Sequence, residues 1–518
     1  MKPYQPAPMP HVWPTVVHML ADAAQRAPDH VALVCAGESI TYLQYAACVS
    51  GLAHELNTLG VGTGARVALV MSNSLDIAVA TFAVQAAGAQ VVPLNPAYTA
   101  SELGPMLESA QAHAIFYDCA AAHALAQLLG MFKPQCAIQV GDGARRFTQW
   151  RDDLALAQTL PLPRADALST LQYTGGTTGR SKGVDLTHLS VATNVSQREA
   201  LFPTEPEAER VLAITPLFHV YAVAMGLYLA CYCRGTLVIM PKYRPDVVLQ
   251  TIQQHRITLM SGSPTIFIGL MAFEGFGRYD LTSLRACSSG ASALSGETLA
   301  RWESATGCTV SEGYGQSESG PVLSYNPRLG TRKQGSVGIA VPDTEIQIVD
   351  TETGTEVLPA GEVGEIRARG PQIMQGYRGL PIETALALRD GWLYTTDIGE
   401  LDGEGYLSIR DRKKEMVIVG GFNVYPREVE DALSTHPDVL EAGVVGVADA
   451  YRGEALIACI VTRDSRLTQQ AITDHLTGRL AKYKIPNEVR FVDALPKTSI
   501  GKTDKNQLRA DIASSAKP

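Results

Sequence analysis

Through the first half of the chain, apolar positions arrive in short runs separated by longer stretches with helical spacing. Arg66-Val67-Ala68-Leu69-Val70-Met71 reads as a strand, Leu75 to Ala87 as a buried Ala-rich helix, and Gln90-Val91-Val92-Pro93-Leu94 as a second strand. Thr99-Ala100-Ser101-Glu102 has the spacing of a capping box and predicts the next helix, with Ala114-Ile115-Phe116-Tyr117 a third strand. Strand–helix–strand at this spacing requires parallel pairing through crossovers. The alternation resumes around Leu237, Leu259 and Leu284. Leu212 to Cys233 carries no formally charged residue over 22 positions. Pro216 and His219 interrupt its start, and an Arg-Gly pair leads it into Thr236-Leu237-Val238-Ile239. It therefore reads as a buried helix feeding a buried strand rather than a membrane span.

The pattern changes after about residue 330, where Gly, Thr and Glu become frequent and short alternating strands such as Thr344-Glu345-Ile346-Gln347-Ile348-Val349 appear. From Arg412 a compact order follows: a helix starting at Pro426, strands near 443–447 and 455–462, a second helix, and a strand at 489–493. Ile472, Leu476 and Leu480 give that second helix one apolar stripe. The expected fold is α/β and α+β. Residues 1–411 form a large N-terminal domain of parallel α/β sheets, with a β-rich subdomain at about 330–411, and residues 412–518 form a small α+β domain.

Composition narrows the function classes. Hydrophobic residues at 46% against 18% charged exclude a disordered chain. A formal charge of −9 without a long basic run argues against nucleic acid as a partner, although local basic clusters could hold a phosphorylated small molecule. Nine scattered cysteines make a disulfide scaffold improbable and suit a reducing compartment. Cys231-Tyr232-Cys233 has metal-ligand residue types, but no second Cys/His pair is near, so strand packing is the expectation. Five prolines in the first fourteen residues leave no apolar stretch of signal-peptide length, and the terminal Ser-Ala-Lys-Pro is neither a peroxisomal nor an ER-retention tail. A cytoplasmic protein without a membrane span is expected; peripheral membrane contact stays open, and oligomeric state is not legible.

The sharpest segment is Tyr173-Thr174-Gly175-Gly176-Thr177-Thr178-Gly179-Arg180-Ser181-Lys182-Gly183. Four glycines, three threonines and a lysine in eleven positions make a poor helix or strand, but they can curl backbone N–H groups and hydroxyls around one anion. It lacks the Gly-Lys-Ser/Thr ending of a Walker loop. On composition alone a surface turn and a phosphate cradle are equally open.

This loop resembles the signature of the adenylate-forming superfamily of acyl-CoA synthetases, amino-acid adenylation domains and luciferases. Four further segments follow in the expected order: Gly313-Tyr314-Gly315-Gln316-Ser317-Glu318, Tyr394-Thr395-Thr396-Asp397, Asp411-Arg412-Lys413-Lys414-Glu415, and Pro496-Lys497-Thr498-Ser499-Ile500-Gly501-Lys502. Departures are Gly175 where Ser is frequent, Ser181 for Pro, Ser317 for Thr and Asp411 for Gly; these retune the phosphate site rather than abolish it. The Thr-Gly-Gly-Thr-Thr-Gly loop is similar to that of bacterial long-chain fatty acyl-CoA synthetases.

The resemblance implies two half-reactions. A carboxylate attacks the α-phosphate of ATP and releases pyrophosphate; the thiol of CoA then attacks the acyl-adenylate. ATP, Mg²⁺ and CoA are thus the expected cofactors, with a small-molecule carboxylic acid as substrate. Thr174, Gly175, Gly176, Thr177, Thr178, Gly179 and Lys182 would hold phosphates, and Lys502, Glu318 and Thr174 would be catalytic, Glu318 as the Mg²⁺ ligand. Tyr314, within Gly313-Tyr314-Gly315-Gln316-Ser317, would stack on adenine opposite the strip Gly290-Ala291-Ser292. Asp397 and Arg412 would hold the ribose. Lys502 would reach into the cleft to the carboxylate and α-phosphate, and Lys414 would be the hinge on which a mobile C-terminal domain swings. Gly420-Gly421 would line the CoA tunnel. His219, where amino-acid-activating members carry an Asp, would face an acyl pocket suited to a fatty or aromatic acid. The expectation is an acid–CoA ligase for a medium- or long-chain fatty acid. Loading of an acyl carrier protein, an aryl-acid CoA ligase and a catalytically silent acyl-nucleotide-binding protein are the alternatives.

Overall fold

The computed structural model describes residues 8–141, 143–174, 181–419, 422–449, 453–498 and 502–515. Two large sheets enclose a layer of helices. One holds, in spatial order, Ile339–Ala340, Val322–Tyr325, Val310–Gly315, Ala286–Ser289, Leu259–Gly262, Arg210–Ala213, Thr236–Ile239, Val31–Cys35 and Glu38–Thr41. The other runs Gly376–Tyr377, Lys182–Thr187, Leu168–Thr174, Gln90–Leu94, Arg66–Val70, Ala114–Tyr117 and Cys136–Gln139. The central pairs of both are parallel, as crossover helices require.

The helix Leu75–Ala86 shows why the layer is buried on both sides: each of its residues is buried, polar ones included. Ser74 caps it by accepting the Ile77 N–H at 3.2 Å. Asp76 accepts the Phe147 N–H at 2.6 Å and pairs with Arg146 at 2.7 Å, while Gln85 Nε2 donates to Ser169 Oγ and Tyr228 Oη, both at 2.8 Å. The Asp76 carboxylate and the Gln85 amide nitrogen thereby gain the partners that burial would otherwise make costly to omit.

A third sheet follows, antiparallel, with Glu345–Val349, Gly364–Arg369, Trp392–Leu401 and Leu388–Arg389 in order and Leu407–Arg412 on the other edge of Trp392–Leu401. The remaining strands, Val417–Val419, Phe422–Val424, Val439–Asp449, Gly453–Thr462 and Glu488–Phe491, form a separate sheet covered by the helices Pro426–Ser434, Gln469–Leu476 and Lys505–Ser515. Among the described residues no helix is long and apolar enough to cross a membrane.

Three local expectations need correction. The uncharged stretch from Leu212 is not one helix: Arg210–Ala213 is a strand, a loop carries Pro216 to His219, and helix begins only at Val220. Cys231 and Cys233 are not strand residues but sit on the last turn of that helix and at its cap, both buried free thiols. The helix bearing Ile472 and Leu476 ends there; Leu480 packs on the same core from the following turn.

Candidate active site

The strands Leu168–Thr174 and Lys182–Thr187 pair antiparallel, bringing Thr174 opposite Lys182. Gly175, Gly176, Thr177, Thr178 and Gly179 lie outside the described residues, as do Gly420 and Gly421. Thr174 and Lys182 therefore mark where the Gly/Thr-rich segment leaves and rejoins the sheet. Gln172 Nε2 donates to the Phe218 carbonyl at 3.4 Å, tying this edge to the loop that ends in His219. That loop is pinned by Asn73, which accepts the Leu217 N–H at 2.7 Å and donates to the Thr215 and Met240 carbonyls.

Next to the hairpin, the strand Val310–Gly315 delivers Gly313, Tyr314 and Gly315, followed by Gln316 and the turn Ser317–Ser319 that carries Glu318. Close packing dictates both glycines. A Cβ on Gly313 would lie 2.5 Å from the Tyr325 ring, and one on Gly315 would lie 1.7 Å from the Pro321 carbonyl oxygen. The Gly315 contact sits at a break in strand register, which turns the chain so that Glu318 points inward. Glu318 is buried, and burial pushes its carboxyl above the ordinary range, while the Tyr377 hydroxyl at 2.8 Å and the Lys182 charge pull the other way. Among the described residues no group of three or more His, Cys, Asp or Glu side chains could hold a metal ion. Glu318 fits an ion such as Mg²⁺, which takes one or two carboxylates and completes its shell with phosphate and water.

Gly290, Ala291 and Ser292 follow the strand Ala286–Ser289, beside Gly313 and Tyr314 in the same sheet. Ala291 adopts a left-handed conformation with φ of 70°. A Cβ on Gly290 would stand 3.0 Å from the Tyr221 ring, whose hydroxyl shares a hydrogen bond with Ser288 Oγ at 3.0 Å.

Tyr314 Oη donates to Asp397 Oδ2 at 2.6 Å, fixing the carboxylate from one side; Arg412 Nε approaches Oδ1 at 3.4 Å from the other. Asp397 and Arg412 meet because the strands Trp392–Leu401 and Leu407–Arg412 pair in register there. Burial raises the Asp397 carboxyl, opposed by Arg412, Tyr314 and Lys502. Lys502 is brought to the same place from the C-terminal sheet: burial and the Arg412 charge push its ammonium down to about 8, with Asp397 holding it up. His219 feels Lys502 in turn and is pushed down to about 4, chiefly by burial, so its imidazole is neutral.

Lys414 sits in the turn Lys413–Glu415 between two sets of anchors. Lys413 Nζ donates to the Thr351 carbonyl at 2.9 Å and to Glu365 at 3.0 Å, both on the β-rich sheet side. Glu415 pairs with Arg509 of the last helix, and Asp411 Oδ2 accepts the Arg427 N–H at 2.9 Å at the start of Pro426–Ser434. Lys414 Nζ lies 3.5 Å from the carboxylate of the neighbouring Glu415.

Tyr377, Tyr221 and the capping role of Asp411 escaped sequence reasoning. Each acts through a partner distant in the chain, and no spacing or charge pattern announces it.

The sequence pattern of the AMP-binding enzyme family matches residues 20–378, and that of the AMP-binding enzyme C-terminal domain matches residues 428–502. The chain belongs to the AMP-binding enzyme family. Among relatives in this family, a long-chain-fatty-acid–CoA ligase of Bacillus subtilis is 36% identical over 539 residues, covering 97% of this chain and 96% of its own. ATP-bound MatB from Rhodopseudomonas palustris superposes with a TM-score of 0.88 at 31% identity, covering 97% and 100% of the two chains. An anthranilate–CoA ligase in complex with anthranoyl-AMP superposes with a TM-score of 0.89 at 26% identity, covering 98% and 99%. Within the AMP-binding family the chain thus falls among the acid–thiol ligases, enzymes that use ATP, Mg²⁺ and CoA.

Proposed function

We propose that this ligase activates a medium- or long-chain fatty acid as its acyl-adenylate and passes the acyl group to CoA. The observation that carries the reading is the Asp397–Arg412 pair at 3.4 Å with the Lys502 charge close enough to act on Asp397 and on the neutral His219. Joining a carboxylate to an α-phosphate brings two anions together, and a cation that can approach both offsets their repulsion. In this reading Lys502 supplies that cation, Asp397 and Arg412 hold the ribose, and Tyr314 both flanks adenine and orients Asp397. Thr174, Lys182 and Glu318 serve the phosphate end, where bound Mg²⁺ would neutralise charge on the leaving pyrophosphate. A neutral histidine beside the acid suits an apolar substrate, and the likeness to the Bacillus ligase supports a fatty one.

One observation favours a second reading, an aryl acid. Tyr221, two residues after His219, packs its ring edge close to Gly290 and shares a hydrogen bond with Ser288 Oγ, which places an aromatic ring and buried hydroxyls beside the Gly290-Ala291-Ser292 strip. The likeness to the anthranilate ligase points the same way. A panel of acids assayed by pyrophosphate release with and without CoA, with products identified by mass, decides between them. The fatty reading expects AMP and acyl-CoA with chains of eight or more carbons to be favoured over aryl acids by about tenfold or more in kcat/KM, roughly what two or more buried methylenes contribute. Preference for hydroxylated or amino-substituted aryl acids would replace it. Acyl-AMP formed without any CoA ester would point to a carrier-protein acceptor.

A further inference from the structure

Lys182 and Glu318 come from different elements and carry opposite charges, yet both converge on one neutral side chain. Lys182 Nζ stands 4.5 Å above the centre of the Tyr377 ring, and the Tyr377 hydroxyl donates to Glu318 Oε1 at 2.8 Å. The segment around Tyr377 is fastened to both neighbours. Met374 N–H donates to the Glu318 carbonyl at 2.9 Å, Gln375 N–H to the Asp185 carbonyl at 3.0 Å, and Arg378 N–H to the Gly183 carbonyl at 2.8 Å. Gly376–Tyr377 pairs along Val184 and Asp185, and Thr384 Oγ1 accepts the Tyr377 N–H at 2.9 Å. Four hydrogen bonds hold this two-residue strand and its flanks in place, so the ring has little freedom to leave.

The chemistry of the three groups explains what such a joint does. An ammonium and a carboxylate at this range close into an ion pair when nothing stands between them, and each then neutralises the other. A ring face attracts the ammonium through its quadrupole without donating or accepting a proton. A phenol hydroxyl stabilises the ionised carboxylate by hydrogen bonding and keeps its orientation.

We propose that Tyr377 is a positioning residue for the phosphate end of the site, seating Lys182 on its ring face and Glu318 on its hydroxyl so that the two charges stay separate and available to nucleotide and divalent cation. The inference rests on the ATP-dependent reading above and deepens it. It separates two functions in one side chain, the ring serving the lysine and the hydroxyl serving the carboxylate.

The test uses the full-length protein without acid substrate and reads ATP affinity by calorimetry, with Mg²⁺ present or replaced by EDTA. Tyr377→Phe keeps the ring and removes the hydroxyl. It should weaken MgATP about tenfold or more, the effect of one hydrogen bond to a charged group, and change metal-free ATP by less than about twofold. Tyr377→Leu removes both and should weaken metal-free ATP as well, by about fivefold or more. Glu318→Gln should match Tyr377→Phe, and the double variant should be no weaker than either single one, because the hydroxyl acts through the carboxylate. Thermal midpoints within a few degrees of wild type exclude unfolding as the cause. MgATP binding unchanged in Tyr377→Phe, or metal-free ATP binding equal in the Phe and Leu variants, overturns the proposal. Failure of the wild-type protein to bind MgATP removes the ligase reading itself and this inference with it.

Discussion

Lys502 is a surface-type residue that the fold brings within reach of the charges of Asp397 and Arg412, and in the proposed reaction its protonation is a condition of the chemistry. Burial and Arg412 push its ammonium down to about 8, against the pull of Asp397. Below that pH the lysine is charged and can oppose the negative charge on acid and α-phosphate; above it the charge is lost. Adenylation should therefore fall as pH rises through about 8. Lys502→Arg, which stays charged, should lose that alkaline limb even if its rate is lower. Lys502→Ala should slow adenylation by about 10²–10³, the scale of one lost oxyanion donor, while supplied acyl-adenylate still converts to thioester. Pyrophosphate release and thioester formation, measured separately across pH, check this. Equal loss in both assays counts against the role.

At the scale of elements, the turn Lys413–Glu415 is anchored on two sides: Lys413 is tied to Thr351 and Glu365, and Glu415 to Arg509 of the last helix. Asp411, departing from the glycine common in the family, caps the helix Pro426–Ser434 through the Arg427 N–H and ties that helix back to the strand Leu407–Arg412. A rotation of the C-terminal domain would thus be concentrated at Lys414. Proline locks φ near −65° and restricts the residue before it. Lys414→Pro should hold the domain in one state. In the arrangement described, with Lys502 in the cleft, single-turnover pyrophosphate release should survive and thioester formation from supplied adenylate should collapse. Lys414→Ala leaves the backbone free and should affect both steps mildly. A folded proline variant with wild-type thioester formation puts the pivot elsewhere.

At the scale of the whole molecule, stability depends on a helix layer closed by two sheets, and His188 is a weak point in it. It is fully buried at the start of His188–Leu201, and among the described residues neither ring nitrogen has a hydrogen-bond partner. Burial, with His18 nearby, pushes it down to about 4 from 6.5. A base whose folded value is depressed favours the folded state only while neutral. Its contribution is complete above 6.5 and is lost as pH falls below that toward 4. Between about pH 7.5 and about pH 5 the loss amounts to about 2 kcal/mol. His188→Leu should remove that part of the acid sensitivity, seen as a smaller drop in thermal midpoint between the two pH values. A variant as acid-sensitive as wild type would show that other groups carry the effect.

How far the chain could be read follows from where each signal is stored. The strands at 66–70, 90–94 and 114–117, the Leu75–Ala86 helix and the helix opening at Pro426 were legible because apolar periodicity, caps and proline act within a few residues. Gly313 to Glu318 and Tyr394 to Asp397 stood out as motifs because their residue types fall in consecutive order. The uncharged run at Leu212 misled because a buried strand and a buried helix share the same composition, and only the sheet order separates them. Leu480 kept its core contact but not its helix, since a stripe records burial and not backbone continuity. The hydroxyl of Tyr314 on Asp397, the cap from Asp411 and the entry of Lys502 join residues distant in the chain. So does Tyr377, between Lys182 and Glu318. Those pairings were decided only by tertiary packing, because hydrogen bonds and charges act through space and leave no periodic trace along the chain.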